Sequence, residues 1–335
     1  MPSIPNPIKH PNSTSSGTLR KSVLATTIAL GALALNPSAA LACACGCGVF
    51  DIGTPALFPS ETGGVAYLEY DSMNQNRNWS GTSSSSPDNN ADKQIRTRYY
   101  TAGLNYMFNH AWGVMAKLPW WDRTFTTDTG GGELSTYPSK SVGDIRVEGM
   151  YTGFSPDMAT GITFGLKLPT GDYTNPNYDR DTQIGTGSTD LLLGAFHRAT
   201  LDAEGNLSWF VQGHFQHAIA TRVATDPGSG LALDYRPGDE VDAVAGLGYS
   251  FGEMGPFTNV ALIGQIKGSL RARDTGGAAV NTDSGYSRLL VAPGISASVG
   301  NFRVFADVES PVYQNVNGNQ LTAKVLYKVV VGMSF

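Results

Sequence analysis

The feature that most constrains this chain is strict alternation of side-chain character. In Leu321–Phe335, one face carries Ala323, Val325, Tyr327, Val329, Val331, Met333 and Phe335. The other carries Lys324, Leu326, Lys328, Val330, Gly332 and Ser334. A period of two is that of a β-strand with two different environments. Segment Gln94–Phe108 repeats it, with Tyr100, Ala102, Leu104, Tyr106 and Phe108 set against Thr101, Gly103 and Asn105. So does Asn206–Ala218, with Leu207, Trp209, Val211 and Phe215 against Ser208, Gln212, His214 and Gln216. The pattern predicts about twelve strands of roughly ten residues or more, the length a tilted membrane-spanning strand needs. They begin near Gly63, Gln94, Trp112, Val142, Thr160, Gly187, Asn206, Asp239, Phe257, Gly285, Phe302 and Leu321.

The connections alternate as well. Short ones lie near Asn109-His110, Ser155–Asp157, Asp202–Gly205, Gly252–Gly255 and Gly300-Asn301. Long polar ones lie at Asn74–Lys93, Thr127–Ser141, Gly171–Gln183, Thr221–Pro237, Arg273–Ser284 and Val312–Gln320. Antiparallel strands in even number, with short turns on one side and long loops on the other, predict an all-β antiparallel transmembrane β-barrel over residues 63–335. Both termini are then expected on the periplasmic side of a bacterial outer membrane. Aromatics near strand ends fit interfacial girdles: Phe108, Trp112, Trp120, Phe154, Tyr249, Phe251 and Phe257. The terminal Phe335 resembles the signal read by the barrel assembly machinery, an expected partner beside outer-membrane lipid and a small-molecule solute. A soluble barrel or sandwich would alternate too; the loop lengths, the last residue and an export signal favour the membrane.

That signal is read at the N-terminus. Arg20 and Lys21 precede an apolar run, Val23–Leu35, and Ala40-Leu41-Ala42 supplies small residues before Cys43. A secretory signal peptide over residues 1–42 is expected. A lipoprotein signal is the alternative, but Ala40 stands where such sites carry leucine. Residues 43–62 form a Cys/Gly-containing segment, expected to be periplasmic. Its Cys43, Cys45 and Cys47 are the chain's three cysteines, so no disulfide framework spans the body. In extended chain the three thiols share a face and could take a soft metal. Three sulfurs lack a fourth ligand for zinc, and a disulfide, an exchange site or a lipid anchor competes.

A net charge of −5 leaves no basic surface for nucleic acid. Charges inside the strands carry more information, because Lys or Arg turned to lipid at the midplane costs roughly 2–4 kcal/mol. Lys117, Asp144, Arg146, Glu148, Lys167, Asp190, Asp242, Lys267, Arg288, Arg303, Asp307, Glu309, Lys324 and Lys328 are therefore expected to line the lumen. Asp307 and Glu309 neighbour the strand bearing Lys324 and Lys328; Asp144 and Glu148 neighbour that of Lys167. The lining serves either as a pairing network or as a selectivity filter. His214 and His217, three apart, fall on opposite faces of a strand. No nucleophile elbow, phosphate loop or His-Ser-Asn constellation is present, and no cofactor is expected.

Several stretches carry a resemblance. Val142–Arg146, Gly165–Asp172, Gly185–Ser188, Gly248–Gly252, Pro311–Gln314 and Asn317–Leu321 resemble the outer-membrane proteins named for meta-pathway phenol degradation. The resemblance runs from about Gly63 to Phe335 and implies a barrel passing hydrophobic or aromatic compounds. It implies no catalytic residues. A channel or uptake barrel for small molecules is the expectation; the alternative is a scaffold barrel whose cysteines bind a soft metal or a periplasmic partner.

Overall fold

The structure is a computed structural model that describes Gly53, Thr54, residues 57–225 and residues 230–335. The expected signal peptide and Cys43, Cys45 and Cys47 lie outside the described residues. The strands are β1 (Gly63–Gly81), β2 (Ser83–Ser84), β3 (Asp92–Met107), β4 (Trp112–Asp128) and β5 (Leu134–Val142). They continue as β6 (Ile145–Tyr151), β7 (Thr160–Leu168), β8 (Ser188–Thr200), β9 (Leu207–Thr221) and β10 (Ala224–Thr225). The last are β11 (Ala232–Leu233), β12 (Glu240–Ser250), β13 (Thr258–Arg271), β14 (Tyr286–Val299) and β15 (Phe302–Ser334).

Eleven strands close a ring in the order β1, β3, β4, β6, β7, β8, β9, β12, β13, β14, β15 and back to β1; β2 and β5 are bonded outside it, and β10–β11 is a separate pair. Every neighbour in the ring is antiparallel. An odd ring cannot be antiparallel throughout unless one member reverses direction. That member is β15. Its residues up to Val316 pair with β14, those from Val316 onward pair with β1, and the Ser334 N–H donates to Asn301 O at 2.9 Å. The ribbon folds back at Asn317-Gly318, where Gly318 takes φ +60. β15 thus supplies two staves, and the wall has the even number that the sequence pattern requires.

Observed and expected strand starts lie close together, but the long connections differ from expectation. β1 continues to Gly81, β4 and β5 form a ribbon up to Asp128–Leu134, and β15 turns tightly where a loop over 312–320 is expected. These extensions carry polar residues on both faces among scattered apolar ones, so no clean hydrophobic alternation marks them.

Leu68, Leu104, Leu166, Leu247, Leu262, Ile266 and Val331 face outward, an apolar band of the kind that lipid covers. At the short-turn rim sit the ring pairs Tyr106–Phe108, Trp112–Tyr151 and Tyr249–Phe251. The barrel closes there through Gly64 and Phe335, whose backbones exchange hydrogen bonds of 2.8 and 2.9 Å. Inside, Tyr67, Met73, Tyr99, Phe210, Leu290 and Phe305 are buried beside polar groups. Tyr67 lies across its register partner Gly103, where a Cβ would meet the ring at 2.0 Å.

Candidate solute conduit

The interior is partly filled by the chain's own N-terminal segment. Phe58 stacks on Phe196 at 5.1 Å and meets Phe210 edge-on at 5.6 Å. Asn105 Nδ2 donates to Leu57 O at 3.1 Å, and Arg198 to Pro59 O at 3.0 Å. The Gly53 N–H donates to Gln212 Oε1 at 3.1 Å, and a Cβ on Gly53 would meet Lys267 Cε at 2.9 Å. Residues expected to hang beneath the barrel therefore run up its inner wall. The physical reason is the aromatic patch of Phe196 and Phe210, which would otherwise face water across the lumen.

The expected lining residues fall into groups. Lys267 Nζ sits 3.0 Å from Asp307 and 2.7 Å from Glu309. Lys328 lies 3.4 Å from Glu69 and 3.6 Å from Asp71. Lys167 lies 2.5 Å from Asp190 and 3.7 Å from Asp144, and donates to Thr186 Oγ1 at 2.7 Å. Each of these lysines is at most 3% exposed, so each charge is matched at close range rather than by solvent. Arg146 donates to Gln216 Oε1 at 3.2 Å. Arg288 lies over the Tyr286 ring at 4.7 Å. Asp242 is buried on β12, and Arg303 reaches toward Glu61 at 3.8 Å. Glu148 is not beside Lys167; it faces the lower cavity, as do Lys117 and His214. His217 pairs instead with Asp239 at 2.8 Å.

Lys324 is exposed rather than buried. The β1–β15 register shifts between Met73 and Gln75 and again between Gln75 and Arg77. A one-residue shift exchanges the two faces. Lys328 and Leu326 therefore point inward at even positions, Ala323 and Leu321 at odd ones, and Lys324 is turned out.

Three cavities share walls along the interior. One at the short-turn mouth, with an empty volume of about 800 Å³, includes Leu57, Phe58 and Pro59, which also line a second of about 670 Å³. That second shares Glu69 and Lys117 with a third of about 880 Å³. The third combines Tyr99, Trp121, Pro119 and Ile184 with Lys117, Arg146, Lys167, Glu240 and Arg271. Its aromatic pair, Tyr99 and Trp121, meets edge-on at 4.7 Å.

A loop over residues 169–187 roofs this last cavity. Arg123, 1% exposed, donates to the carbonyls of Thr182 and Gln183 and to Thr97 Oγ1. Tyr178 Oη donates to Tyr137 O at 2.9 Å. Asp144 accepts from the amides of Gly171 at 3.0 Å and Thr186 at 2.9 Å. Gly185 passes so close to Gly171 that a Cβ would sit 2.3 Å from its carbonyl oxygen. The Gly185–Ser188 motif thus closes a loop over Asp144 and Lys167. Phe58, Arg123, Trp121 and Tyr178 are absent from the expected lining. Arg123 alone carried a sequence signal, a charge within an aromatic strand.

No protein-family model matches the chain, and no curated protein sequence does. Among solved structures it is similar to an outer membrane channel from Pseudomonas putida F1, at a TM-score of 0.64 and 12% identity, covering 85% of this chain and 100% of that one. It is also similar to the beta domain of the Bordetella autotransporter BrkA (TM-score 0.49, 10% identity, 82% and 100% covered). A third is the Ralstonia pickettii toluene transporter TbuX (TM-score 0.39, 10% identity, 82% and 90% covered). At such identity the first likeness establishes fold: this chain is an antiparallel closed barrel of the outer-membrane type.

Proposed function

We propose that the chain is an outer-membrane uptake channel for small amphiphilic molecules, aromatic ones included, with the short-turn rim and both termini in the periplasm. The observation that carries this reading is the run of three cavities joined by shared walls, lined by aromatic rings and charged groups together. Such a lining suits a solute with one apolar face and one polar group. The resemblance to barrels named for phenol degradation agrees with that class. Phe58 stands between the two lower cavities as a plug, and the charges around Lys117, Arg146 and Glu148 set selectivity above it. The test is single-channel conductance and solute swelling of liposomes carrying the refolded full chain. Phe58→Ala is expected to raise conductance. Wild type and variant both silent, with heat-modifiable migration intact, would overturn the reading.

The cysteines support a second reading. Cys47 precedes Gly53 by six residues, roughly 20 Å at full extension, and Gly53 is held against the inner wall. Cys43 and Cys45 lie just before Cys47 in sequence, and a soft cation is the ligand that such thiolates would take.

A further inference from the structure

The pairing inside the barrel leaves out one buried charge. Asp307 and Glu309 share Lys267, Glu69 and Asp71 share Lys328, and Asp144 and Asp190 share Lys167. Glu148 has no such cation. It stands on β6, is 5% exposed and lines the cavity of about 670 Å³ beside Phe58. Its Oε2 is buried with no hydrogen-bond partner, and among the described residues no ion pair reaches the carboxylate. The side chain lies over its register partner Gly165, where a Cβ would meet Glu148 Cγ at 2.7 Å. Strands β4 and β6 set Met115 opposite Glu148 and Lys117 opposite Arg146. Those two cations therefore stand one inward step, roughly 7 Å, farther up the wall. Around Glu148 the cavity is apolar, with the rings of Phe58, Tyr67 and Phe196 and the thioethers of Met115 and Met150. Asn105 lies in the same row, across from Met115, and its Oδ1 has no donor.

A buried carboxylate is costly unless a cation meets it. The described chain supplies none to Glu148, and the cavity it lines shares walls with its neighbours along the interior, so the counter-charge comes with a solute. We propose that Glu148 holds the charged end of a small organic cation, a protonated amine with an aryl or alkyl body. The ammonium donates to the carboxylate, and Asn105 Oδ1 offers a further acceptor at the same height. The body lies against Phe58, Phe196 and Met150, because ring faces and thioethers are good neighbours for an apolar group carrying a positive charge. A bare inorganic cation would leave those side chains without a role. Lys117 and Arg146 repel the ammonium from above and so fix its depth. The inference rests on the channel reading and deepens it by naming the solute class; the binding itself does not depend on conduction.

Three probes of one shape and different charge test the site: 2-phenylethylammonium, 2-phenylethanol and 3-phenylpropanoate. Each is titrated calorimetrically into the refolded full chain in detergent. The ammonium is expected to bind at least about tenfold more tightly than the other two. Glu148→Gln keeps the shape, removes the charge and should weaken ammonium binding about tenfold or more. Glu204→Gln, in the exposed turn after β8, should leave it unchanged. Heat-modifiable migration confirms that each variant is folded, and the urea midpoint of Glu148→Gln should not fall, because no cation of the chain loses its partner. Equal affinity for the ammonium in wild type and Glu148→Gln overturns the proposal. So does tighter binding of the alcohol or the carboxylate. A urea midpoint lowered by Glu148→Gln overturns it as well, since the carboxylate is then paired within the chain. Ammonium binding that needs Glu148, in a protein that passes no current, upholds the site and counts only against the channel reading.

Discussion

Lys267 shows how much one inward residue governs. It is fully buried between Asp307 and Glu309. Removing it leaves two carboxylates without their cation in a place where water cannot replace it. Lys267→Met is expected to destabilise the folded barrel by about 3–5 kcal/mol, read as a lower urea midpoint for unfolding in detergent. Lys324→Ala, at a position turned outward by the register shift, should move that midpoint by less than about 0.5 kcal/mol. Equal effects would contradict the opposite orientations of the two lysines. Arg123 belongs to the same class, with three acceptors and almost no exposure. Arg123→Met strips the roof loop of its support, and faster proteolysis within residues 169–187 is the expected outcome.

At the level of elements, the decisive contact is β1 with β15. An open edge cannot be satisfied in hydrocarbon, so closure is obligatory for a membrane barrel. Gly64 and Phe335 make the last two hydrogen bonds of that seam, and the Phe335 ring stacks on Tyr106. Deletion of Phe335 is expected to lower membrane yield and slow the appearance of the heat-modifiable form. Unchanged assembly would show that the seam does not depend on its last pair. The loops divide by rim, and the proposed orientation follows: protease added to intact cells should cut at Ser80–Pro87 and spare Gly252–Gly255. The reverse pattern would invert the barrel in the membrane.

For the whole molecule, the plug and the thiols make one further prediction. Replacing Cys43, Cys45 and Cys47 with serine should leave assembly intact, since all three precede Gly63, where β1 begins. If the thiols stay near the conduit, Cd²⁺ should reduce single-channel current in the reduced wild type and leave the triple variant unaffected. Block that persists in the variant would exclude the thiols as its cause.

The sequence by itself determined the wall. Alternation is local, each residue reporting only which of two faces it occupies, so β3 begins at Asp92 where Gln94 is expected and β12 at Glu240 where Asp239 is expected. The same alternation marked the charges that turn inward, because lipid penalises them wherever they stand. Tertiary structure decided the rest. Lys267 meets Asp307 and Glu309, two staves away from its own, because the closed, staggered wall sets which heights face each other across the lumen. The β1–β15 register shift reversed Lys324, and no local pattern encodes a shift that depends on a partner strand more than 200 residues distant in sequence. Phe58 and the roof loop read as polar or flexible connection until the closed barrel offers them an interior. Only then do Phe196, Phe210 and Arg123 present surfaces that draw both segments in.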